Sequence, residues 1–325
     1  MRRLLFVLIA IAVLVGIFML FGPRPAHDET VRFDPASIGA DPVAFLAAGE
    51  AIFPAIKPGA EKEIIWFDPA TKARTPLSVV YIHGFSATKQ EIRPVPDEIA
   101  KSLGANIFYA RLTGHGQDGP AMATATMNSW INDMAEAMAI GAMIGERVIV
   151  VGTSTGATLA TWAAAQPQFA KDMAALVFVS PNFAIQGAST GLLNMPWAEI
   201  LLPMAMGQTR SFEPHNEGQA KWWTTSYPSR AVFPMGALLK VVSALHFEDI
   251  KVPMIIFQSR KDEVVVPEMS HQVHDRWGGP RQLVWVQESG DPSNHVLAGD
   301  ILSPQNNALV VETTLTFLKE KAGVN

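Results

Sequence analysis

The chain has 325 residues, 49% of them hydrophobic and 17% charged, and a formal net charge of −5 at neutral pH. That length and apolar content suit one large α/β domain or two small ones and exclude a globally disordered chain. No basic tract invites a phosphate backbone, so nucleic acid is not an expected partner, and the absence of cysteine removes disulfides, thiolate catalysis and cysteine-ligated metal centres.

The N-terminus differs in material from the rest. Leu4 to Gly22 carries no charge, and a helix rising ~1.5 Å per residue over it would nearly span a ~30 Å hydrocarbon core. A buried core helix is disfavoured because no face is polar. A cleaved signal peptide, which would release a secreted protein, is the alternative. Against it, the apolar run exceeds the usual ~7–15 residues, and Arg24 spoils a small-residue cleavage site ending at Ala26. The preferred reading is a single-pass signal anchor over residues 1–24. Arg2 and Arg3 favour a cytoplasmic N-terminus and an extracytoplasmic, periplasmic domain, although Arg24 and Arg32 weaken the asymmetry. Residues 25–62, rich in proline, alanine and glycine, read as a spacer with one short helix at "DPVAFLAAGEAIF".

From Glu63 onward short apolar runs alternate with helical patterns. "EIIWF" and "LSVVYIHG" read as strands, and "KQEIRPVPDEIAKSLG" as a helix with prolines near its start. "NIFYAR" is the next strand. "SWINDMAEAMAIGAMIG" is a helix with Ser129 as candidate N-cap. "RVIVVG" has no polar alternation, as expected of a central parallel strand buried on both faces. "TGATLATWAAAQ" reads as a helix and "AALVFVSP" as a strand. No convincing strand follows between Phe183 and Ile250, a stretch rich in methionine and aromatics: Met195, Trp197, Met204, Met206, Phe212, Trp222, Trp223 and Phe233. The closing elements are strand "VPMIIFQS", helix "PEMSHQVHDRWG", strand "RQLVWVQ" and helix "QNNALVVETTLTFLKEK". Such alternation predicts an α/β fold, a mostly parallel sheet flanked by helices on both faces. The 183–250 stretch falls between two strands and is therefore an insertion.

"VGTSTGA" places Ser154 between Gly152 and Gly156, with a strand before and a helix after. Glycines allow a sharp turn that projects the serine from the C-terminal edge of a sheet, towards the positive end of the next helix. The alternative is a small polar residue in a glycine-rich turn. A serine nucleophile needs a base, a group to orient that base, and donors for the oxyanion. The backbone N–H of Thr155 is one expected donor. The N–H of Phe85, in the loop "YIHGFSAT", is the second.

The order His-Gly-Phe, then "RLTGHG" (Arg111 to Gly116), then Gly-x-Ser-x-Gly resembles the α/β-hydrolase family. The likeness is greatest to the branch of monoacylglycerol lipases, small bacterial carboxylesterases and serine aminopeptidase-like hydrolases. It covers about residues 63–325 and leaves the anchor and spacer outside. The family order of serine, acid and histidine points to Asp262 in "SRKDEVVVP" as the acid and His295 in "GDPSNHVL" as the base. Glu263 and Asp291 are rival acids. His83 and His115 are expected to organise loops. His271 and His274 sit three apart on one predicted helix, but with no third ligand apparent they read as a solvated face. No cofactor and no metal are expected.

The resemblance implies acyl transfer through Ser154, His295 and Asp262. It also implies that the insertion is a cap, and the methionine-rich composition suggests esters with an apolar acyl group as substrates. Amide or aminopeptidase-like hydrolysis and a non-catalytic binding role on the same scaffold are the alternatives.

Overall fold

The computed structural model describes residues 2–53, 55–187 and 190–324. In chain order its strands are β1 (Glu63–Ile65), β2 (Thr75–Ile82), β3 (Asn106–Tyr109), β4 (Gly145–Thr153), β5 (Met173–Val179), β6 (Thr209–Ser211), β7 (Ser226–Pro228), β8 (Met254–Gln258) and β9 (Arg281–Trp285). Seven of them form one sheet in the order β1–β3–β2–β4–β5–β8–β9. Every pairing in that sheet is parallel except β1 against β3. This is the mostly parallel, helix-flanked sheet that the alternation of elements predicts, and it fits the α/β-hydrolase architecture that the resemblance implies.

The lack of polar alternation in β4 has a direct cause. Val148 and Val150 pack on one side of the sheet with Trp130 and Met134 of the helix Met127–Ile144. Ile149 and Val151 pack on the other with Ile99 of Val95–Ser102 and Phe317 of Asn307–Lys321. Neighbouring residues thus enter opposite cores, and each fully buried Val or Ile side chain stabilises by roughly 1.5–3 kcal/mol.

Three local details differ from the sequence reading. Thr126, not Ser129, caps the helix Met127–Ile144. Thr126 Oγ1 accepts the Ser129 N–H at 3.0 Å and Ser129 Oγ accepts the Thr126 N–H at 3.0 Å, so Ser129 is the third-position half of a capping box. The helix expected from Lys89 begins only at Val95. Pro94 explains this, because a residue before proline is pushed out of the helical region, whereas Pro96 sits in the first turn, where proline is tolerated. Inside the insertion, β6 and β7 form a short antiparallel pair that its sequence did not announce.

The helix Arg2–Phe21 buries no residue and is long and apolar enough to cross a membrane. Its end is tied to the insertion. The Phe18 ring stacks on Trp197 at 4.5 Å, and the Trp197 indole N–H donates to the Phe18 carbonyl at 2.7 Å. Residues 25–53 and 55–62, from the stretch expected as a spacer, include segments that pack against the domain. Ile38 and Leu46 enter the core, and Arg111 grips both oxygens of Glu50 at 2.7 and 2.8 Å.

Candidate active site

Ser154, Phe85, Asp262 and His295 all follow the C-terminal ends of parallel strands, β4, β2, β8 and β9 respectively. That edge is where ligands bind in open α/β sheets.

Ser154 stands between β4 and the helix Thr155–Ala164 with φ 51° and ψ −116°. A left-handed serine is strained by roughly 1–3 kcal/mol and persists only when its surroundings hold it. They do so through the backbone. Its N–H donates to Val179 O at 3.0 Å, and its carbonyl accepts from Ala157 N and Asn182 N, both at 3.1 Å. The glycines are required sterically. A Cβ on Gly152 would lie 2.8 Å from Ala157 N, and one on Gly156 only 2.1 Å from Ile82 O. Neither glycine of "GTSTG" could therefore carry a side chain in this turn.

Asp262 is buried in the turn after β8. Its Oδ1 accepts the N–H groups of Val264 and Val265, each at 2.9 Å. Its Oδ2 accepts from Gln258 Nε2 at 3.0 Å and faces His295 Nδ1 at 2.9 Å. Because a carboxylate only accepts, His295 carries its proton on Nδ1 and leaves Nε2 free as a base. Burial works against the imidazolium, but the Asp262 charge and hydrogen bond, helped by Glu91 and Asp291, raise the His295 pKa above its ordinary value. Ser154 and His295 line one cavity, and no hydrogen bond joins Ser154 Oγ to the imidazole among the described residues. Such contacts are often long before substrate binds.

The rival acids separate clearly. Glu263 is exposed and its backbone N–H goes to Ser293 O at 2.9 Å. Asp291 is buried, also lines the cavity, and braces the histidine loop. Its Oδ2 accepts the N–H groups of His295 and Val296 at 3.0 and 2.8 Å and the Ser293 hydroxyl at 2.7 Å.

The N–H groups of Phe85 and Thr155 have no acceptor among the described residues. The loop carrying Phe85 is organised by histidine. His83 Nε2 accepts the Leu112 N–H at 3.1 Å and its Nδ1 faces Gly84 O at 2.8 Å, which ties the His-Gly-Phe loop to "RLTGHG". Burial lowers the His83 pKa to about 4, and burial and His83 together push His115 well below the ordinary value. Both rings are neutral near pH 7.

The cavity encloses about 490 Å³. The insertion supplies an apolar wall that includes Leu193, Leu202, Met206, Phe212, Phe233 and Met235. Of the residues noted in the sequence, Met206, Phe212, Trp223 and Phe233 reach the cavity, whereas Met204 is exposed and Trp197 meets Phe18.

Sequence reading missed the supports behind the site. Ser270 Oγ donates to Gln258 Oε1 at 2.9 Å and so orients the amide that donates to Asp262. Glu91, on the cavity wall, was passed over inside a predicted helix. One metal-capable cluster occurs among the described residues: ligand atoms of His271, His274 and Asp275 lie within 4.8 Å of one another. Asp275, which brings a third ligand-capable atom, was overlooked in the sequence. None of the three residues borders the cavity.

Comparison with known proteins agrees with this fold. The model described as "Alpha/beta hydrolase family" matches residues 79–304. A thermostable monoacylglycerol lipase from Bacillus sp. (strain H-257) is 23% identical over 257 residues, covering 79% of this chain and 96% of its own. Among solved structures, one from work on the metagenome-derived lipolytic enzymes LipS and LipT superposes with a TM-score of 0.64 at 23% identity, over 82% of this chain and 99% of the other. A soluble variant of monoglyceride lipase from Saccharomyces cerevisiae gives 0.59 at 14% identity, over 80% and 90%.

Proposed function

The chain belongs to the alpha/beta hydrolase family, and on that premise we propose that it is a serine ester hydrolase of the carboxylesterase or monoacylglycerol lipase type. The observation that carries this reading is the buried Asp262–His295 pair, 2.9 Å apart, whose histidine stands on the wall of the cavity that also holds Ser154. The lipases and lipolytic enzymes among its relatives support it.

In this mechanism Ser154 Oγ attacks the ester carbonyl carbon while His295 Nε2 takes the hydroxyl proton. The oxyanion accepts from the N–H groups of Phe85 and Thr155. Collapse breaks the bond to the alcohol, and the imidazolium returns the proton to the departing alkoxide. Water, deprotonated by His295, then attacks the acyl-serine. Collapse breaks the bond to Ser154 Oγ, the imidazolium returns the proton to that oxygen, and the acid leaves. Asp262 keeps its charge throughout, holding the Nδ1–H tautomer and stabilising the imidazolium.

The substrate reading follows from the apolar wall. Residues 183–250 act as a cap that receives the acyl chain, on a hydrolase domain of residues 63–325. Residues 1–24 serve as a membrane anchor, with 25–62 joining anchor to domain. The test is a series of aryl esters with Ser154→Ala protein as blank and aminoacyl amides alongside. Each buried methylene contributes ~0.8 kcal/mol, so kcat/KM should rise by up to about fourfold per carbon beyond acetyl until the cavity is full. A decline with every added methylene, or preferential cleavage of the amides, would refute the apolar-ester assignment.

A further inference from the structure

Glu91 has no part in the mechanism above, yet it is buried on the wall of the same cavity. Its Oε2 accepts the Gly84 N–H at 2.7 Å and the Tyr81 hydroxyl at 2.9 Å. Tyr81 OH is also 3.1 Å from Thr153 Oγ1, in the residue before Ser154. One carboxylate oxygen thus joins the root of the Phe85 loop to the root of the nucleophile turn. The packing around it is tight. A Cβ on Gly84 would lie 2.7 Å from Glu91 Oε1 and 3.3 Å from Ser154 Cβ. One on Gly299, in the segment after His295, would lie 2.7 Å from Glu91 O.

We propose that Glu91 is a positioning residue that aims the Phe85 N–H at the oxyanion and whose charge is coupled to the protonation of His295. The inference rests on the serine-hydrolase reading and deepens it.

A buried carboxylate is costly unless it is paired or hydrogen-bonded. No cationic side chain of its own segment serves it: Lys89 is spent on Glu63 at 2.7 Å and Arg93 on Asp97 at 2.9 Å. The titratable groups that face it are Tyr81 from β2 and His295 from the loop after β9. His295 itself also feels Asp262 and Asp291, and Asp300, further along that loop, receives the Asn307 amide. Burial raises the Glu91 pKa to about 7, against the opposing pulls of the Gly84 N–H, Tyr81 and His295. Below that pH Glu91 is neutral. Above it, its charge makes His295 hold a proton more tightly. The geometric role follows from chain connection. With its N–H fixed on Glu91, Gly84 has little freedom, and the next peptide unit carries the Phe85 N–H. Donors of this kind act only if preorganised.

The test compares full-length wild type, Glu91→Ala and Glu91→Gln on p-nitrophenyl acetate from pH 5 to 9. Glu91→Ala leaves the Gly84 N–H buried without an acceptor and should lower kcat about 10²-fold, the scale of a lost oxyanion donor, with KM little changed. The glutamine carbonyl can still accept that N–H, so Glu91→Gln should restore kcat to within about tenfold of wild type. It removes the charge, so the acidic limb of kcat/KM should move to lower pH, by on the order of half a unit. A purely structural role would leave that limb in place.

The proposal is overturned if folded Glu91→Ala keeps wild-type kcat, or if Glu91→Gln leaves the limb unmoved. The latter outcome decides the matter even if the alanine variant does not fold. A wild type that turns over no ester would overturn the parent reading as well. An active wild type with an indifferent Glu91 overturns this inference alone.

Discussion

Replacing Ser154 with alanine should reduce turnover of a short-chain aryl ester to background, a loss on the order of 10⁶-fold in kcat. The size of the effect reflects the division of labour at the site. Without the hydroxyl no acyl-enzyme forms, and only the oxyanion donors and substrate binding remain to help water. The fold should survive, because the elbow is held by backbone contacts of residue 154 with Val179, Ala157 and Asn182. Wild-type and variant protein should therefore melt at the same temperature, and the activity loss can be read as chemistry. A variant that keeps measurable turnover with a normal melt would remove Ser154 from the mechanism.

The second large effect belongs to Asp262. Asp262→Asn should cost about 10⁴-fold in kcat, because an amide beside His295 Nδ1 favours the wrong tautomer and cannot stabilise the imidazolium. Glu263→Gln, one residue along but exposed, should stay within about twofold, as surface changes away from special features do. Steady-state kinetics on the two proteins, with circular dichroism to check folding, decides between the carboxylates. Equal losses, or a larger loss for Glu263→Gln, would contradict the assignment of Asp262 as the acid.

The elements of the fold were legible where local chemistry and tertiary environment agree. β4 read as a central strand because Val148 to Val151 must satisfy two cores at once. The start of the helix Val95–Ser102 was misjudged because a proline near a helix start reads as tolerable, whereas Pro94 stands just before the first helical residue. β6 and β7 escaped notice because three residues each are too short to show a period.

The site was legible in a different way. "GTSTG" announces itself through steric need: Gly156 has no room for a Cβ beneath Ile82 O. Asp262 and His295 came from the order that the resemblance supplied, and the fold brings them to 2.9 Å across 33 residues of chain. What stayed hidden depends on through-space contact alone. Gln258 and Ser270 are ordinary polar residues in sequence, and their roles exist only once the strand ends converge. Glu91 was hidden because a glutamate among Lys89, Gln90 and Arg93 reads as a solvated face.

The most direct measurement of the central claim is covalent labelling. Full-length protein treated with a fluorophosphonate probe and digested for peptide mass spectrometry should carry one adduct, on Ser154, at close to full occupancy. No labelling at Ser154, or labelling of another residue in its place, would contradict the account.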